Sequence, residues 1–120
     1  MRRHDRGQAT VELALCLPFV CLLLCAVVQV AVIARDRVAV QLAAREGARA
    51  ASVSAQPVEA AHRAIARATS LQPLDVAVWQ ADGLVTVRVT YTDDTSVPLI
   101  GALLSDAQVS AEVTMAIEQP

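Results

Sequence analysis

At 120 residues the chain has room for one modest domain beside a membrane segment, and not for two. It is 55% hydrophobic yet holds one Phe, one Tyr and one Trp, so alanine and valine supply its apolar content. Such small side chains suit closely packed helices better than a thick core. The formal charge of −2 comes from ten Arg, no Lys and twelve acids, and no basic stripe follows the apolar stretch, which argues against nucleic-acid binding.

The chain opens on a cationic leader in which Arg2, Arg3 and Arg6 outnumber Asp5. Residues 13–34 then run LALCLPFVCLLLCAVVQVAVIA without a charge. About 20 apolar residues at 1.5 Å each cross roughly 30 Å of hydrocarbon, so this run predicts a single membrane-spanning helix. Pro18 removes one backbone donor and predicts a local kink. Gln29, near the far end, is in reach of headgroups or a neighbouring helix. The flank Arg35-Asp36-Arg37 is less basic than the leader. By the positive-inside rule the N-terminus is expected in the cytoplasm and the residues beyond about 35 outside, a single-pass protein of the cytoplasmic membrane.

All three cysteines, Cys16, Cys21 and Cys25, lie inside the apolar run, so no disulfide framework is available to the domain beyond it. Cys21 and Cys25 share a helix face. They read first as small packing residues, with acylation or an inter-helix disulfide as the sharper alternatives. The apolar run is too long for an ordinary secretory signal peptide. Leu15 and Leu24, before Cys16 and Cys25, do not suit a lipoprotein signal.

Residues 6–12 read RGQATVE, directly before the span. This stretch resembles type IV prepilins and pseudopilins, whose leader ends in glycine and whose mature chain has glutamate at its fifth position. The resemblance implies cleavage between Gly7 and Gln8 by a membrane prepilin peptidase. It also implies that Glu12 pairs with the new amine of Gln8 on an adjoining subunit. Physics singles out Glu12 independently, because a carboxylate at the edge of hydrocarbon is expensive and is normally paired or functional. The plain alternative is an acid at headgroup depth with no special role.

The run RVAVQLAAREGARAAS follows the span at residues 37–52. It resembles the TadE-like family through Ala43, Ala44, Arg45, Glu46, Gly47, Ala48 and Arg49. The family implies a tight-adherence, or Flp-type, pilus system. Partners implied by the resemblance are prepilin peptidase, other pilin or TadE-like subunits and the pilus assembly platform. Gly47 costs a helix roughly 1 kcal/mol relative to alanine, so a close backbone approach is expected there. Arg45 and Arg49 lie four apart, where like charges repel slightly, so an acid is expected opposite them, in this domain or in another subunit. Glu46 is in reach of Arg49 within the helix.

The first helix is expected over about 8–54, ended by the stretch before Pro57. A second helix is expected over about 57–69, with Val58, Ala61, Ile65 and Ala68 on one stripe. From Leu74 the period turns to two. Leu74, Val76 and Val78 alternate with Asp75, Ala77 and Trp79, and Asp82-Gly83 is a strong hairpin signal. Val85, Val87, Val89 and Tyr91 make the clearest strand. Asp93-Asp94-Thr95-Ser96 opens a loop, and the apolar residues 97–104 read as a short helix or a loop. A last strand is expected over about 108–117. The fold class is α+β: a long transmembrane and stalk helix, a short second helix and a small antiparallel sheet of about three strands, as in pilin-like proteins. The expected division is a leader over 1–7, the long helix over 8–54 and an extracytoplasmic domain over 55–120.

His4 and His62 cannot build a metal site between them, and no glycine loop, paired carboxylates or Ser-His-Asp pattern appears. No catalytic residue, cofactor or metal is expected, and the chain is not expected to be an enzyme. The leading expectation is a minor pilin or pseudopilin that enters, caps or supports the pilus assembly. The alternative is a signal-anchored extracytoplasmic binding domain unrelated to pili.

Overall fold

From the leader to Ser52 only Gly7, Pro18 and Gly47 interrupt the helix-compatible residues, and the whole stretch forms one helix. The structure, a computed structural model, describes the backbone of residues 2–92 and 108–118 and the side chains of residues 7–92 and 108–118. Helix α1 spans Arg2–Ser52 and continues through Pro18. It therefore starts ahead of the Gly7–Gln8 junction. At its other end the Ser52 hydroxyl donates to the Arg49 carbonyl at 2.9 Å. The Glu118 amide donates to the Ser52 carbonyl at 3.0 Å, so carbonyls left over at the helix end find donors.

The chain divides into two compact units, Met1–Ala34 and Arg35–Pro120. The first is the apolar part of α1, whose large side chains are exposed, Phe19 to 74% and Leu13 to 69%. Among the described residues one helix is long and apolar enough to cross a membrane. Cys16, Cys21 and Cys25 are exposed free thiols on it.

The second unit holds the remainder of α1, helix α2 over Pro57–Ala68 and strands β1 (Leu74–Ala81), β2 (Leu84–Thr92) and β3 (Gln108–Ala116). Pro57 starts α2 at the position where a missing N–H costs nothing. The strands form one antiparallel sheet in the order β1-β2-β3. Asp82 and Gly83 join β1 to β2 with φ of 53° and 75°, the doubly positive pair of a type I′ hairpin. The α+β class expected from the sequence is the class observed. The apolar stretch 97–104 and the loop opening at Asp93 lie outside the described residues.

Period-two alternation puts Val85, Val87 and Val89 on one face of β2, and all three are fully buried. They meet Val40, Ala43, Ala44, Ala48 and Ala51 of α1 and Ala61 and Ile65 of α2 in one core. Alanines on the helix fit against valines on the sheet in this core, and each buried valine contributes about 1.5–3 kcal/mol. Both helices cover the sheet, as its single apolar face requires. Val58 shares a helical stripe with Ala61, Ile65 and Ala68 by spacing, but it is 52% exposed. The helical period gives the direction of a face, not how far the surface beneath it extends, and the buried contact of α2 is centred on Ala61 and Ile65.

Candidate functional site

Gly7, Gln8 and Glu12 all lie on α1 and all are exposed. Helix α1 runs through the Gly7–Gln8 bond without interruption. A Cβ on Gly7 would meet no atom within 4 Å, so nothing in the chain's own packing calls for glycine there. Glu12 is one turn beyond Gln8 on the same side of the helix. Among the described residues Glu12 has no ion-pair partner, and the next charges along the helix are Arg35, Asp36 and Arg37, past the apolar run.

The second set of residues divides between two faces of α1. Ala43, Ala44, Gly47 and Ala48 are buried against the rest of the domain, while Arg45, Glu46 and Arg49 are exposed. The alternation follows the helical period: 43, 44, 47 and 48 share one side, and 45 and 49 the other. Gly47 fills the close-approach role that its position in a helix suggested, because Ile65 of α2 and Val87 of β2 leave no room for a Cβ. Glu46 and Arg49 do not pair within the helix, and no acid among the described residues pairs with Arg45 or Arg49. Gly7, Gln8 and Glu12 thus lie near the start of α1, ahead of the apolar run, and Arg45 and Arg49 follow that run.

Three features escaped sequence reasoning. Asp36, read as part of a weakly basic flank, is only 7% exposed and points to the same side of α1 as Val40 and Ala43. On the sheet face away from the helices, Arg88 donates from Nε and Nη2 to Glu112 Oε2 at 2.8 and 2.6 Å, and its guanidinium carbon lies 5.1 Å from the centroid of the Trp79 ring. Beside them the Thr86 and Thr114 hydroxyls are 2.9 Å apart. The strand periodicity places Trp79, Thr86, Arg88, Glu112 and Thr114 on one face, but only the register brings them level: Ala77↔Arg88↔Glu112 and Trp79↔Thr86↔Thr114. His62 is exposed, and among the described residues no group of three His, Cys, Asp or Glu is placed to hold a metal ion.

The model of the family described as TadE-like protein matches residues 7–49. That segment is similar to the TadE-like family. The TadE-like segment begins at Gly7 and ends at Arg49, so it contains Gln8, Glu12, the apolar run and the whole of the Ala44–Arg49 motif. It covers less than half of the chain, and α2 and the sheet lie outside it. No curated protein and no solved structure matches the chain. The TadE-like match supports a role connected with tight-adherence (Tad) pili, and the apolar helix supports membrane association.

Proposed function

We propose that the chain is a minor pilin or pseudopilin in the assembly of a tight-adherence (Flp-type) pilus or a related secretion system. Its arginine-rich leader stays on the cytoplasmic side of the membrane, and the domain beyond Arg35 stands outside. A prepilin peptidase removes the leader between Gly7 and Gln8. Because α1 is helical through that bond, the peptidase has to unwind a turn. Gly7, a poor helix former, makes the unwinding easier by about 1 kcal/mol relative to alanine.

Cleavage leaves a free amine on Gln8 at a helix N-terminus. Glu12 of an adjoining subunit pairs with that amine, neutralising two charges at the lipid boundary and setting the axial register of one helix against the next. The work is non-enzymatic: α1 packs among other helices and the outer domain makes contacts.

The observation that carries this reading is Glu12, exposed and without an ion-pair partner among the described residues, inside the TadE-like match at the head of an uncharged run. Two substitutions separate its parts. Gly7→Ala is expected to impair processing, read by intact mass, with the outer domain folding as before. Glu12→Ala is expected to be processed and to fail in assembly, read by co-purification with other pilus components and by filament counts. Normal assembly of Glu12→Ala would remove the pairing from the account.

A further inference from the structure

Between Arg35 and Ser52, the side of α1 turned away from the sheet carries a stripe that its own domain leaves open. Arg35, Val38, Leu42, Arg45 and Arg49 recur at steps of three and four and so line one side of the helix, opposite Gly47. Val38 is 65% exposed and Leu42 50%. The three arginines are exposed, and none has an ion-pair partner among the described residues. Glu112, the one acid in an ion pair among those residues, is held by Arg88 on the far face of the sheet. Arg45 and Arg49 therefore repel each other in the free chain, and an acid from outside relieves that repulsion.

Charge decides between the possible occupants. The exposed surface of this part of α1 carries Arg35, Arg37, Arg45 and Arg49 against Glu46 alone, since Asp36 is buried. A second copy packed helix to helix along the stripe would bring arginines against arginines. Phosphate headgroups extend only about 5–8 Å beyond the hydrocarbon. Measured along the helix from Arg35, Arg45 lies about 15 Å and Arg49 about 21 Å further on, past that layer. The stripe runs straight along about 21 Å of α1, a length over which a second helix laid beside it seats ridges in grooves.

We propose that this stripe docks an amphipathic helix of a different, acidic subunit, with carboxylates opposite Arg45 and Arg49 and apolar side chains on Val38 and Leu42. That the partner is a neighbouring subunit of a pilus assembly rests on the pilin-like reading; the charge and shape of the partner rest on the stripe.

The test places the photo-crosslinking residue benzoylphenylalanine at position 42 of the full chain, in the chain's own cells. Membranes are irradiated and the adduct peptide is sequenced by mass spectrometry. The expected adduct is a segment of another chain with acids three or four residues apart. The double variant Arg45→Glu/Arg49→Glu is expected to lower its yield at least about tenfold, equivalent to about 1.4 kcal/mol. Changing the partner's acids to arginine is expected to restore the yield, and Arg67→Glu on α2 to leave it unchanged. An adduct on the same chain, on phospholipid or on a segment without such acids would overturn the proposal, as would no adduct or a yield indifferent to charge reversal. The N-terminus is read on the same sample. A start at Gln8 with a failed adduct sinks the docking stripe alone, and a start at Met1 sinks the pilin-like reading whatever the adduct shows.

Discussion

A Cβ on Gly47 of α1 would stand 2.9 Å from both Cγ1 and Cδ1 of Ile65 on α2, and 3.3 Å from Cγ1 of Val87 on β2. At this glycine helix, helix and sheet meet. Alanine there gains about 1 kcal/mol in helix propensity. Overpacking a filled core costs about 1–3 kcal/mol, and three contacts tighter than ordinary van der Waals approach put this site toward the upper end. Gly47→Ala is expected to lower stability by about 1 kcal/mol net, and Gly47→Val by more. In an Ile65→Ala background the two closest contacts are gone, and Gly47→Ala is expected to stabilise. Urea unfolding of the full chain in detergent, followed by the fluorescence of the sole tryptophan, checks both signs. Stabilisation in both backgrounds would show that the core yields freely at this point.

Gly83 poses the opposite case. Its φ of 75° is costly for a residue with a Cβ, while a Cβ there would meet nothing within 4 Å. Gly83→Ala is expected to cost about 1–2 kcal/mol through the backbone alone. Asp82, at φ 53°, tolerates Asn to within about 0.5 kcal/mol, because both types adopt this conformation in type I′ turns. The same unfolding measurement ranks the two variants. A neutral Gly83→Ala would mean that the hairpin relaxes to another turn.

The Arg88–Glu112 pair is well formed but exposed, with 52% and 44% of the two side chains open to solvent. Glu112→Ala is expected to cost less than about 1 kcal/mol, a difference that shrinks as salt is raised. Freeing Arg88 from Glu112 is also expected to shift the emission of Trp79, over whose ring the guanidinium lies. A much larger loss would mean that the pair is better shielded from water than its exposure indicates.

The sequence made the elements legible where one period dominated. Val85, Val87 and Val89 alternate cleanly and are buried; Asp82-Gly83 marks its turn by chemistry that few other pairs provide. Gly47 was legible too, since a glycine amid strong helix formers needs a packing reason. Thr86 was not. Alternation assigns it to the solvent face, yet it is buried, because the register sets it between Trp79 and Thr114. Asp36 was read by its neighbours' charge, while its burial depends on which side of α1 faces the domain. Val58 shows the same limit in reverse. Of the candidate site, the spacing of Gly7, Gln8 and Glu12 was visible in the chain itself. The separation of the Ala44–Arg49 motif into a buried small-residue face and an exposed cationic one required knowing where the sheet lies.

The start of the chain in its working form tests the pilin-like account most directly. The protein is extracted from membranes of cells that carry the prepilin peptidase, and its intact mass and first residues are determined. The account predicts a chain beginning at Gln8, with Glu12 fifth. An assembled, functioning protein that still begins at Met1, or one cut near Arg35, would contradict it.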